Sequence, residues 1–135
     1  MKILVVEDDI DQNELLCRVL TAEGYAVTTV LDGYEAVLKI NGERFDLIVS
    51  DVNLGASPSG FDVFKALQGV GGGDFILYSS SGYERLGTLA EDLGILKFIS
   101  NSKVNFMDIK QAVVDRLNDS VRRNTEATNK LLGLE

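Results

Sequence analysis

Short apolar runs alternate along the chain with segments of helical spacing. Apolar residues are nearly continuous in four of these runs, which is typical of strands buried on both faces of a sheet. A fifth run is mixed in polarity and suits a strand at a sheet edge. The four buried runs span residues 3–6, 47–49, 75–78 and 98–99, and the edge run spans residues 25–30.

A segment with helical spacing follows each predicted strand. Asp11 with Glu14 predicts the start of the first helix, and Asp32 with Glu35 predicts the start of the second, which should end at Gly42. The first helix should bury Leu15, Leu16, Val19 and Leu20. Five strand–helix units in succession predict one doubly wound α/β domain. Its five-stranded parallel sheet should have strand order 2-1-3-4-5 between two layers of helices.

Size and charge fit one compact acidic domain. The chain has 135 residues, of which 45% are apolar, so it can bury a real core. A net charge of −8 disfavours contact with nucleic acid or an anionic membrane surface. No apolar run is long enough for a membrane span or a signal peptide. We expect one domain over residues 1–118, with residues 119–135 as a helical extension or tail.

The cysteine and histidine content limits which catalytic sites, metal sites and disulfides the chain can form. The lone Cys17 excludes an internal disulfide and lies in an apolar run, so we expect a small core residue in a reducing, cytoplasmic setting. Histidine is absent, which excludes Ser-His-Asp and Cys-His catalysis and histidine-ligated metal sites. For the same reason the chain cannot donate a phosphoryl group from histidine.

Acidic residues follow two of the central strands. Glu7 and Asp8 come directly after the first strand, and Asp51 comes after the third. With strand order 2-1-3-4-5, a ligand site is expected between the carboxyl ends of these two strands. Converging carboxylates raise one another's pKa or bind a cation, and an all-oxygen ligand set favours Mg²⁺ or Mn²⁺. The alternative is that such acids only cap the following helices, which we expect of Asp9 and Asp11.

This arrangement predicts phosphoryl chemistry. A carboxylate can attack phosphorus and form an acyl phosphate when a bound cation neutralises the charge. Ser79 follows the fourth strand, so its hydroxyl is placed to hydrogen-bond phosphoryl oxygens. The alternative is that Ser79 is an ordinary serine at a strand end.

The order and spacing of these motifs resemble the response-regulator receiver family of two-component signalling. Residues 3–9 resemble the family's first strand and acidic pair. Residues 45–51 resemble its third strand, with the acceptor aspartate last. The resemblance spans roughly residues 1–118 and implies the flavodoxin-like receiver fold.

The resemblance also implies a role for each matching residue. Asp51 is the implied phospho-acceptor, Ser79 the switch hydroxyl and Phe98 the switch aromatic. The implied Mg²⁺ ligands are Glu7 through water, Asp8, Asp51 and the backbone carbonyl of Asn53. The implied phosphoryl donor is a histidine kinase, a histidine phosphotransfer protein or a small acyl phosphate.

The implied output is a signal to a protein partner rather than metabolic catalysis, with slow autodephosphorylation at most. The partner should bind the face formed by the fourth helix, the fifth strand and the last helix. Residues 119–135 are too few for a DNA-binding domain, since an independent fold usually needs about 40 residues. Val121, Leu131 and Leu132 leave open a homodimer contact along an extended last helix, or a frayed tail.

The chain departs from the family pattern after the fifth strand. Asn101 and Ser102 stand where the family has a Lys-Pro pair. Asn101 can donate a hydrogen bond but brings no charge, and a cis peptide before Ser102 would cost ~3 kcal/mol, so trans is expected. Lys103 is a candidate substitute for the family lysine.

Three rival hypotheses follow from these residues. A pseudo-receiver would use the fold as a binding module without phosphorylation, which Asn101 favours. A flavodoxin-like flavin binder would need a hydroxyl-rich loop after the first strand, where this chain has acids. An aspartyl-phosphate hydrolase would need a second aspartate at Asn53.

The hypothesis that Lys103 replaces the family lysine can be tested with Lys103→Ala. If Lys103 neutralises a phosphoryl oxygen, the variant should be phosphorylated on Asp51 more slowly by acetyl phosphate with Mg²⁺, as followed by intact mass. Lys130→Ala, in the predicted helical extension or tail, is the control. An unchanged rate and lifetime in Lys103→Ala would discard the idea.

Overall fold

The computed structural model describes residues 1–55, 58–79, 84–95, 97–100 and 106–133. Five strands and five helices alternate within them. The strands are β1 (Lys2–Val6), β2 (Ala26–Val30), β3 (Leu47–Asp51), β4 (Asp74–Ser79) and β5 (Lys97–Ser100). The helices are α1 (Ile10–Ala22), α2 (Gly33–Gly42), α3 (Gly60–Gly69), α4 (Glu84–Leu93) and α5 (Phe106–Leu131).

The strands form one parallel sheet with order β2-β1-β3-β4-β5, as predicted. The more polar β2 lies at one edge and β5 at the other, where Phe98 and Ile99 are only half-buried, so the fully buried runs of β1, β3 and β4 form the centre. Because β1 and β3 are neighbours whose following helices cover opposite faces, their carboxyl ends form the switch point of the doubly wound sheet.

Side-chain alternation divides the core into two apolar clusters, one on each face of the sheet. Along β1, Ile3 and Val5 belong to the cluster that includes Leu16 and Leu20 of α1 and the apolar residues of α5. Leu4 and Val6 belong to the opposite cluster, which is covered by apolar residues of α2, α3 and α4. The same alternation decides which face each polar residue at a strand end occupies.

The start of the first helix differs from the prediction. Asp9 rather than Asp11 is the N-cap, since its extended backbone precedes α1 and its Oδ1 accepts a hydrogen bond from the Gln12 N–H at 3.0 Å. Asp11 lies in the first turn instead. The prediction for Asp32 is confirmed, because its side chain caps α2 by accepting from the Glu35 N–H at 2.7 Å.

Three predicted core residues of α1 lie outside the core. Leu15 is 48% exposed, and Val19 is half-buried. Cys17 is half-buried, outside the core, with its Sγ 3.8 Å from Thr21 Oγ1. Asn13 is buried in the same helix. The face that packs on the sheet therefore runs through Asn13, Leu16 and Leu20, and hydrophobicity alone placed it incorrectly.

The last helix is continuous from Phe106 to Leu131 and crosses residue 118 without a break. Its first half is tied to the domain by Lys110, which pairs with Glu23 at 2.9 Å, and by Arg116, which donates two hydrogen bonds to the Asp74 carboxylate. Beyond Leu117 its apolar residues are exposed. The domain boundary at residue 118 stays a prediction. Among the described residues, no helix is both long and apolar enough to cross a membrane.

Gly60 allows α3 to start directly beside the end of β3. Its N–H donates to the Val52 carbonyl at 2.9 Å. A Cβ at this position would lie 2.3 Å from the Asp51 carbonyl oxygen and 2.8 Å from Leu77 Cδ1. A side chain would therefore push the backbone that carries Asp51 out of position.

We expect Gly60→Ala to destabilise the chain by about 1–3 kcal/mol, because the added methyl overpacks against backbone. Gly69→Ala, at the other end of the same helix, is the matched control, since nothing lies within 4 Å of its Cβ position. That control should be neutral or stabilising by about 0.4–1 kcal/mol. Urea unfolding measures both variants, and equal stability of the two would contradict the packing argument.

Candidate acidic metal site

The register of the sheet brings the predicted acids together. Val6 of β1 pairs with Ser50 of β3, so Glu7 and Asp51 are the next residues on two adjacent strands. Glu7, Asp8 and Asp51 each offer a carboxylate oxygen, and these oxygens lie within 4.8 Å of one another. The predicted convergence is confirmed. The strand β3 extends beyond its apolar run through Ser50 to Asp51, as the family resemblance implied, so Asp51 is held by strand pairing with Tyr78.

The three acids differ in their exposure. Glu7 is 1% exposed and Asp51 is 9% exposed, while Asp8 faces solvent. The Asp9 N–H donates to Glu7 Oε2 at 3.2 Å, and the Asn53 N–H donates to Asp51 Oδ1 at 3.2 Å. Two carboxylates are thus withdrawn from water and oriented by backbone amides, and the third stands at the mouth of the site.

Burial perturbs both inner acids. Desolvation, together with a smaller effect of the nearby Asp51 charge, raises the pKa of Glu7 to about 7 despite the hydrogen bonds from Asp9 and Tyr78 that lower it. Desolvation also raises the pKa of Asp51 to about 6, with the Asp8 charge acting in the same direction. Near neutral pH, the cluster therefore favours either a retained proton or a bound cation.

The donor set fits a hard divalent cation. All side-chain ligands are carboxylate oxygens, which suits Mg²⁺ or Mn²⁺ better than zinc. In the part of the chain whose side chains are described, no lysine or arginine forms an ion pair with Glu7, Asp8 or Asp51. Charge compensation by a metal ion is consistent with this arrangement.

Sequence reasoning missed two residues that contact Glu7. The Tyr78 hydroxyl donates to Glu7 Oε1 at 2.9 Å. Asn13 Nδ2 donates to the backbone carbonyls of Glu7 and Val30, each at 3.0 Å. Two signals were available in the sequence. One was the hydroxyl of a tyrosine that ends an apolar strand, and the other was an asparagine on the buried face of the first helix.

The other predicted residues lie in β4, in β5, directly after β3, or outside the described part of the chain. Ser79 is buried as the last residue of β4, directly after Tyr78, which pairs with Asp51. Phe98 is half-buried in β5 and pairs with Leu77. Asn53 is exposed next to the site. The predictions for Asn101 and Lys103 fall outside the described residues.

Fold and site together define a class: a doubly wound α/β domain with an acidic cluster at its switch point. The family model "Response regulator receiver domain" matches residues 3–114. The chain therefore belongs to the response regulator receiver domain family of two-component signalling, as the motifs predicted. Domains of this family act mainly as signalling switches.

Individual relatives agree with this assignment. The chain is 44% identical over 68 residues to the transcriptional regulatory protein TcrA of Mycobacterium tuberculosis, a match that covers 50% of this chain and 26% of TcrA. This chain spans little more than a quarter of the length of the first curated relatives that it matches. The activity of a whole regulator therefore does not transfer to it directly.

Solved structures agree in fold. A CheY-like receiver domain protein from Methanospirillum hungatei superposes with a TM-score of 0.79 at 24% identity, covering 90% of this chain and 97% of that one. The response regulator TrrA from Thermotoga maritima, in complex with Mg²⁺-BeF, gives a TM-score of 0.73 at 26% identity. That match covers 84% of this chain and 96% of TrrA.

The perturbed acids predict how stability depends on pH in the absence of metal. Because the pKa values of Glu7 and Asp51 are higher in the folded than in the unfolded chain, the folded chain binds more protons between the two sets of values. The free energy of unfolding should therefore decrease as pH rises through about 6 to 7. In EDTA, the melting temperature should fall between pH 5 and pH 8, and the fall should be shallower in Asp51→Asn. Thermal unfolding followed by circular dichroism measures both.

Added Mg²⁺ should remove most of this loss at the upper end of the range, because a ligand that binds only the folded chain stabilises it. A melting temperature that rises with pH in EDTA, or an equal slope in Asp51→Asn, would contradict the assignment of these acids.

Proposed function

We propose that the domain accepts a phosphoryl group on Asp51 in a reaction that needs Mg²⁺, and that it passes the signal to a protein partner. The observation that carries the proposal is the convergence of Glu7, Asp8 and Asp51 in a chain of the receiver family. The Mg²⁺-BeF complex of the related TrrA supports the choice of ion.

In this proposal Asp8, Asp51 and the Asn53 carbonyl would hold the ion, and Glu7 would act through water. Bound Mg²⁺ supplies positive charge that neutralises the phosphoryl oxygens. A carboxylate oxygen of Asp51 attacks phosphorus, an acyl phosphate bond forms, and the bond from phosphorus to the donor's nitrogen or oxygen breaks with its electron pair leaving on the donor. The Asn53 N–H orients the Asp51 carboxylate through the bond to Oδ1.

The conformational response is proposed to run through Ser79 and Phe98. Ser79 ends β4 one residue beyond Tyr78, the register partner of Asp51, and this placement supports a response of Ser79 to a modified carboxylate. Phe98 lines a groove of about 710 Å³ between β5 and α5, which also includes Ile99, Ala112 and Arg116. A two-state change of this face would alter what a partner can bind.

Several finer points belong to the same proposal. The donor is a histidine kinase, a histidine phosphotransfer protein or a small acyl phosphate, and the setting is cytoplasmic. Lys103 takes the place of the family lysine. Autodephosphorylation is slow. The part of α5 beyond residue 118 supplies a homodimer contact. The output is a protein contact without direct binding to nucleic acid or membrane.

The reaction can be tested by incubating the chain with acetyl phosphate and Mg²⁺ and measuring intact mass. We expect one phosphoryl adduct, and its loss in Asp51→Asn and in EDTA, because acceptor and ion are both needed. Asp92→Asn, an exposed acid in α4, is the matched control and should be modified like the wild type.

An adduct that persists in Asp51→Asn would refute the acceptor assignment. A folded wild-type chain that forms no adduct with either acetyl phosphate or a phosphorylated histidine kinase would favour the pseudo-receiver, which the residue at position 101 already suggests.

A further inference from the structure

One polar contact at the site is not used by the proposed reaction. Tyr78 is 1% exposed, and its ring belongs to the apolar cluster shared with α1 and α5. At the carboxyl end of the sheet, its hydroxyl donates a hydrogen bond to Glu7 Oε1 at 2.9 Å. Phenylalanine would fill the same apolar space, so packing alone does not explain the hydroxyl.

The register of three strands explains how this contact arises. Asp51 of β3 pairs with Tyr78 of β4, and Glu7 follows Val6, which pairs with Ser50. Glu7, Asp51 and Tyr78 therefore stand side by side at the carboxyl ends of β1, β3 and β4, and alternation directs all three to the same face. Tyr78 lies two strands from Glu7, a distance that an aliphatic side chain at this position would not span.

Two donors together hold the Glu7 carboxylate. Tyr78 binds Oε1, and the Asp9 N–H binds Oε2 at 3.2 Å. With a donor on each oxygen, the carboxylate plane has little freedom to rotate about the last bond of the side chain. When a bound cation keeps Glu7 ionised, a bond from the buried hydroxyl to its carboxylate is also among the stronger hydrogen bonds in proteins.

We propose that Tyr78 is a positioning residue of the metal site, which fixes the Glu7 carboxylate in the orientation that holds the water of a bound Mg²⁺. The inference rests on the proposed function in one respect, that Mg²⁺ binds at this cluster. Removing a residue that orients a direct metal ligand typically lowers metal affinity by about 10- to 100-fold. Because Glu7 acts through water, we expect the effect of Tyr78 at the lower end of that range.

The experiment measures Mg²⁺ affinity of the full chain by calorimetric titration with MgCl₂, in wild type and in Tyr78→Phe. We expect affinity to fall about tenfold or more in Tyr78→Phe. Tyr34→Phe is the matched control, because Tyr34 is 65% exposed on α2 and should leave affinity unchanged. Urea unfolding establishes that each variant is folded under the titration conditions.

A second readout tests whether Tyr78 acts through Glu7. In a Glu7→Gln background, adding Tyr78→Phe should lower Mg²⁺ affinity no further, since the group that Tyr78 orients has already changed. The chain has no tryptophan, so a tyrosine difference absorbance on Mg²⁺ addition can also be followed. We expect it in wild type and Tyr34→Phe and expect it to be lost in Tyr78→Phe.

The outcomes separate the two proposals. Wild type that binds Mg²⁺, with equal affinity in Tyr78→Phe, would overturn the positioning role and leave the phosphoryl-accepting function standing. Equal and additive losses in the wild-type and Glu7→Gln backgrounds would also overturn it. Wild type that binds no Mg²⁺ would overturn the proposed function and this inference together.

Discussion

Electrostatic repulsion among three carboxylates at one end of the sheet is the constraint on which the rest of the site depends. Glu7, Asp8 and Asp51 lie close enough to share one ion, and two of them are largely removed from water. Each buried charge is unfavourable by itself, and each neighbour increases the penalty. The site is therefore built to respond to anything that changes its charge, whether a proton, a cation or a phosphoryl group.

The fold maintains this unfavourable cluster by placing it on rigid elements. Glu7 directly follows β1 and Asp51 ends the adjacent β3, and the side chains that precede them in these strands are fully buried, so neither backbone can move away without disturbing the core. Gly60 lets α3 begin against the Asp51 carbonyl, and Asn13 holds the Glu7 carbonyl from α1. The stability of the apolar clusters thus offsets the strain of the acidic end.

Much of the fold was predictable because it depends on local patterns. Strand and helix succession, the N-cap at Asp32 and the placement of acids after two strands all follow from periodicity and nearby residues. The errors arose where tertiary packing chooses between similar local options. Either Asp9 or Asp11 could have capped α1 by type, and the buried face of α1 passes through polar Asn13 while leaving Leu15 exposed.

By itself, the sequence determined that acids would stand at the ends of neighbouring strands, because strand boundaries and residue types are properties of short segments. Only the tertiary structure decided that Tyr78 would reach Glu7, since that contact depends on the relative register of β1, β3 and β4 and on the face each side chain takes. It also decided that Glu7 would be buried while Asp8 remained exposed, because successive residues point in different directions as the chain leaves the sheet.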